Sequence, residues 1–149
     1  MIGSYLNEWN IVTITVRLIL AVVCGGAIGL TRSVKRRGAG FKTHALVCLG
    51  SALVMMTGQY IYVDFGAISD IARLAAQVIS GVGFLGVGTI MVTRDNHVKG
   101  LTTAAGLWTC AGIGLSIGIG FYSGAAITTI LVLVIYRFMG RVDEIAYEH

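Results

Sequence analysis

The sequence predicts an all-α integral membrane protein of five transmembrane helices, with the amino terminus outside and the carboxyl terminus cytoplasmic. Three observations carry this prediction. The 149-residue chain is 56% hydrophobic and 12% charged, whereas a soluble domain of that length is about 45 to 50% apolar. Its apolar residues gather into five runs, at 11–30, 44–63, 71–92, 101–119 and 124–139. The longest, 71–92, has the length a helix rising about 1.5 Å per residue needs to cross a hydrocarbon core roughly 30 Å thick. Finally, nine Lys and Arg residues lie outside the runs or at their ends: five in Thr31–Lys42, two in Thr93–Gly100, and Arg137 and Arg141. A five-span path puts all nine on one side, which the positive-inside tendency makes cytoplasmic. Copies that assemble are therefore expected to be parallel, and the whole chain, 1–149, is expected to be a single transmembrane domain.

The opening MIGSYLNEWN holds one acid and no base before Arg17. It lacks the positive leader of a cleaved signal peptide, so the first run is expected to remain as a span. Thr13, Arg17, Ala21 and Cys24 share one face of that helix, and Gly25 and Gly29 form a close-packing edge. Arg17, about two turns in, either snorkels to the outer headgroups or is buried in a specific role. TRSVKRRGAGFK, at 31–42, reads as a cytoplasmic loop whose bases meet anionic lipid headgroups. A pI near 9.2 does not point to nucleic acid, because the bases flank apolar spans rather than interleave with exposed aromatics. In the second run Tyr60 and Tyr62 sit where an aromatic belt is expected.

The third run holds polar residues that an apolar run normally excludes. At 100° per residue, Arg73, Gln77, Ser80, Gly81, Phe84 and Gly88 fall in one stripe about 100° wide, with Val78, Val82, Leu85 and Ile90 off it. Such a stripe is expected to face protein or trapped water, and glycines at 81 and 88 admit a neighbouring backbone. Gly83 and Gly86 point elsewhere, so this helix is expected to pack on two sides at the centre of a bundle. Asp70 and Arg73, at i,i+3, read first as a capping ion pair at the helix start. The alternative is that Arg73 reaches across to backbone carbonyls or another subunit, with Gln77 beside it. His97, near Asp95 and Asn96, belongs to a solvated loop.

The chain contains no proline, so helix breaks must come from glycine. On the fourth helix Thr102, Gly106, Thr109, Ser116 and Gly120 share a narrow face suited to the third helix's stripe, and Gly114 and Gly118 offer a second i,i+4 edge. Hydroxyls in such a face usually bond within their own helix or to a neighbour. A water-filled path is the less favoured reading. Thr102 and Thr103 join Arg17, Asp70, Arg73 and Gln77 as the intramembrane polar candidates.

These residues bear on function mainly by exclusion. Three cysteines without metal spacing read as small buried residues. His44 and Cys48, at i,i+4, resemble a base and thiol, but no third group orients them, so no catalytic residue, cofactor or metal site is assigned. Magnesium requires hard oxygen ligands, commonly one or two carboxylates with water. The spans hold Arg17 and Arg73 and, apart from Asp70 at a helix end, no acid, and positive charge along a path repels a cation. Five spans with no visible inverted repeat also depart from the usual secondary-transporter plan.

The order RLILAVVCGGAIGL, a basic loop, KTHALVCLGSAL, DIARLAAQVISGVGFLGVGTI and VKGLTTAAGLW before a glycine-rich hairpin resembles the membrane domain of the MgtC/SapB family, from Arg17 to about Gly120. The resemblance implies a bacterial inner-membrane protein linked to acclimation at low magnesium and, in pathogens, to survival inside macrophages. It also implies ATP synthase as a possible partner, and magnesium transport as the activity in the family's inherited name. Two departures stand out. Thr31 occupies a position where many relatives have Glu, and the chain stops about ten residues after its last span, where many carry a soluble carboxyl-terminal domain. Some relatives also have Asn at the position of Thr102. The combined expectation is a non-enzymatic protein, homodimeric or a higher parallel oligomer, that modulates another membrane complex. A magnesium or other ion transporter or channel is the alternative.

Overall fold

The computed structural model describes residues 10–34, 38–65, 70–94 and 96–146, and the side chains of all of these except 64, 65 and 139–146. The bases at 35–37, the connection at 66–69 and Asp95 lie outside the described residues. The helices are α1 (Ile11–Val34), α2 (Phe41–Phe65), α3 (Ile71–Val87), α4 (Leu101–Gly118) and α5 (Tyr122–Ala146). A short antiparallel hairpin, β1 (Met91–Val92) and β2 (Val98–Lys99), joins α3 to α4 and pairs Met91 with Lys99 and Val92 with Val98. Among the described residues, Ile11–Val34, Phe41–Val63 and Leu101–Gly118 are long and apolar enough to cross a membrane, while Ile71–Val87 and Tyr122–Phe138 are shorter apolar helices. The protein is thus a helical membrane protein.

The expected third span, 71–92, ends early. Asp70 caps α3 by accepting a bond at Oδ1 from the Arg73 backbone N–H at 3.2 Å. At the other end three glycines in six residues, Gly83, Gly86 and Gly88, weaken the helix. The Gly88 N–H bonds to Phe84, and Thr89 caps Gly86 with both its N–H (3.0 Å) and its hydroxyl (2.8 Å). β-branched Ile90 and Val92 then continue into the hairpin, where extended backbone suits them. Gly100 closes this connection at φ 99°, with the Thr89 carbonyl pressed where a side chain would stand. The first span, by contrast, runs four residues beyond its expected end at 30 and takes Arg32 out of the expected loop into a helix.

The bundle is organised around α2, not α3. Both glycine edges identified in the sequence face α2. On α1, a Cβ at Gly25 would lie 2.6 Å from the His44 carbonyl oxygen, and one at Gly29 would lie 2.7 Å from that of Gly40. On α4, Gly114 meets the Cys48 carbonyl and Gly118 the Ala52 carbonyl. Small side chains on α2 complete this fit, and Cys48 and Ala52 form the core with Ala21, Ile28, Cys110, Ile113, Ile117 and Ala125. Helix α3 sits at the edge, packing mainly on α4 through Val82 and Gly86 against Leu107, Ala111 and Ala104.

This packing makes neighbouring glycines unequal. Gly114→Leu should cost about 1–3 kcal/mol or more, because the α2 backbone cannot yield to it. Gly112→Ala, with nothing within 4 Å, should change stability by less than about 1 kcal/mol. Thermal unfolding in detergent, followed by the helical circular dichroism signal, compares the two.

Candidate functional site

Six of the buried residues of α1 follow one line: Thr13, Arg17, Ala21, Gly25, Ile28 and Arg32. Their spacing keeps them on one side of the helix. An arginine therefore stands near each end of the buried stripe, about 22 Å apart at 1.5 Å per residue. Each meets a different end of α4.

At one end α4 closes in a Schellman motif: the Gly120 N–H bonds to the Ile117 carbonyl at 3.0 Å and the Phe121 N–H to that of Ser116 at 2.8 Å. Gly120, at φ 87°, supplies the left-handed residue this turn needs. One of the carbonyls a helix end leaves over is that of Gly118, and Arg17 Nη1 donates to it at 2.7 Å. Arg17 Nε donates to the Tyr122 hydroxyl at 2.9 Å, and Nη1 also reaches Gln59 Oε1 at 3.4 Å. The guanidinium thus ties α1, α2, α4 and α5 together and places positive charge at the negative end of the α4 dipole. Arg17 is only 3% exposed, which decides for burial over snorkelling.

At the other end Arg32 lies in the last turn of α1, where its charge complements that helix's own dipole. Its Nη2 donates to the Thr103 hydroxyl at 2.8 Å, and its guanidinium carbon stands 4.8 Å from the centre of the Tyr136 ring, within cation–π range. His44, fully buried, lies alongside. Its Nδ1 donates to the Gly40 carbonyl at 2.9 Å, while Nε2 has no hydrogen-bond partner among the described residues. The Tyr136 hydroxyl donates to the Thr102 carbonyl at 3.4 Å and fills the space a side chain on Gly106 would need. The arginines on α1 and the tyrosines on α5 are 15 and 14 residues apart in sequence, so two parallel helices meet in register at both ends.

The remaining candidates are dispersed. Asp70 caps α3 through the backbone N–H of Arg73, whose side chain is exposed. Gln77, Ser80, Gly81 and Gly88 are exposed too, and Phe84 is 81% exposed. The α3 stripe therefore faces outward from the single chain, and the contacts with α4 come instead from Val82 and Gly86. Thr102 is exposed, whereas Thr103 is buried on Arg32. Thr109 and Ser116 bond to the carbonyls four residues before them. Cys48, one turn from His44, is buried in the core. Among the described residues no group of three His, Cys, Asp or Glu is placed to hold a metal ion.

Sequence reasoning missed Arg32, Gln59, Tyr122 and Tyr136. A signal for Arg32 was present: the face containing Thr13, Arg17 and Ala21, extended in steps of three and four, arrives at Arg32.

A family model described as the MgtC family matches residues 18–145. Similar proteins include "Putative magnesium transporter YhiD" of Escherichia coli (strain K12), 47% identical over 94 residues, which cover 60% of this chain and 43% of that one. An uncharacterized protein of Haemophilus influenzae is 41% identical over 86% of this chain and 56% of its own. Protein MgtC of Brucella abortus (strain 2308) is 39% identical over 77% and 46%. The chain spans about half the length of these curated relatives. No solved structure matches.

Arg17 and Arg73 should separate on substitution. Arg17→Met removes the two short charge-assisted bonds, to Gly118 and Tyr122, worth about 1.5 kcal/mol each, so a loss of about 3 kcal/mol is expected. Arg73→Met, at an exposed position, should leave the unfolding of the single chain within about 0.5 kcal/mol of wild type. Detergent-phase melts of the monomeric fraction measure both.

Proposed function

Because the chain belongs to the MgtC family, we propose that it is a non-enzymatic membrane scaffold that modulates another membrane complex rather than a conduit for an ion. The observation that carries this reading is the pair of arginines bonded at opposite ends of the same helix bundle, with an apolar, glycine-backed core between them. A divalent cation seeks carboxylates and water. Two guanidinium groups along its route would raise the barrier to entry.

In this reading α3 and α5 add two spans to the three long helices, giving five, with the amino terminus outside and the carboxyl terminus cytoplasmic in the bacterial inner membrane. The one-sided distribution of Lys and Arg supports that orientation. The first part of the exposed α3 stripe, Arg73, Gln77 and Ser80, is covered by a parallel second copy, since these side chains are costly against acyl chains. The regulated complex is a membrane assembly of the kind the family resemblance implies, such as ATP synthase, in cells adapting to low magnesium. The second reading, magnesium transport, takes its substrate from the name of the Escherichia coli relative.

Magnesium flux into proteoliposomes holding the purified protein separates the two: flux at the level of empty vesicles is expected, and saturable uptake would overturn the scaffold. Arg73→Met should lower the oligomeric fraction in mild detergent while leaving each chain folded. An unchanged oligomer would remove α3 from the interface.

A further inference from the structure

A groove of about 550 Å³ runs between α2 and the second half of α3. Lys42, Leu46, Gly50 and Val54 line it from α2, and Gly81 and Leu85 from α3. Two glycines leave room in it: among the described residues an ideal Cβ on Gly50 or Gly81 would find nothing within 4 Å. Its polarity is confined to one end. Lys42 stands at the mouth and is exposed, at the close of a segment, 31–42, with five bases and no acid. Farther in, Ser51 spends its hydroxyl on the Val47 carbonyl at 2.7 Å.

We propose that this groove is a binding site for one anionic phospholipid, with an acyl chain laid between α2 and α3 and the headgroup phosphate beside Lys42. The dimensions fit. Lys42 to Val54 is about 18 Å along a helix, close to the roughly 15 Å that one leaflet contributes to a 30 Å hydrocarbon core. The charge fits as well, because the cation stands at the end where that leaflet's headgroups lie. Lipid covers any apolar surface in a membrane, but here a shallow open groove gives the chain a track and a cation fixes which headgroup is favoured. A parallel second copy seated symmetrically in the groove would bring its own Lys42 toward this one, a like-charge approach that an anionic lipid relieves. The occupancy of the groove does not depend on whether the protein carries an ion or regulates another complex.

Native mass spectrometry of the full chain, exchanged in micelles against phosphatidylglycerol or phosphatidylcholine, tests the proposal. Wild type should retain one phosphatidylglycerol per chain with about fivefold preference over phosphatidylcholine, the effect of one lysine beside an anionic headgroup. Lys42→Ala, a surface change, should abolish the preference and leave weak retention of both lipids. Gly50→Leu should fill the groove and abolish retention of either, with elution volume and helical signal unchanged. If Gly50→Leu does not fold, Gly81→Leu and Lys42→Ala carry the test. Equal retention of both lipids by wild type overturns the proposal, as does retention unaltered by the leucine. Loss of oligomer mass in Gly50→Leu with lipid retention intact assigns the groove to a second copy instead. Displacement of the lipid by inorganic phosphate alone removes the role given to the acyl chain.

Discussion

A guanidinium group inside an apolar bundle has to find its hydrogen-bond acceptors within the protein, and α1 carries two. The resulting constraint is severe, because a charged side chain at membrane depth is expensive unless it faces protein and is bonded there. Arg17 and Arg32 meet it at opposite ends of α4, one on a leftover C-terminal carbonyl and the other on a hydroxyl in the first turn. Helix α5 contributes a tyrosine to each end. Four helices are thus fixed in height relative to one another by two side chains.

Such bonds demand that the helices approach closely. Glycine makes this possible along α2, whose backbone lies in contact range of Gly25 and Gly29 on one side and of Gly114 and Gly118 on the other. In a membrane, packing of this kind replaces the hydrophobic driving force that assembles a soluble core. The two elements depend on each other. Moving α4 outward to make room for side chains on α2 would carry Gly118 and Thr103 away from the arginines.

Much of this plan was legible in the residues, and the rest was hidden for identifiable reasons. The i,i+4 glycines at 25/29 and 114/118 announced close-packed edges, and hydropathy located the long helices. Helix α3 misled because a stripe of Arg73, Gln77, Ser80 and Gly81 looks like an inward face when only one chain is considered. In the single chain it faces outward, and β-branched residues beyond Gly88 favour a hairpin over a further helical turn. Arg32 was obscured by its neighbours: in a segment of five bases, charge suggested a loop, although periodicity continued the α1 stripe. Tyr136 and Gln59 carried no local signal, since their roles arise from pairings 34 to 104 residues away in the fold.

The long sequence separation of these bonds also orders the assembly of the molecule in time. Translation delivers α1 first, yet the partners of Arg17 at Gly118 and Tyr122 are 101 and 105 residues downstream, and Thr103 is 71 residues beyond Arg32. Until α4 and α5 have been synthesised, α1 cannot take its final seat. Its two charges therefore gain their last acceptors only when the carboxyl-terminal helices are in place.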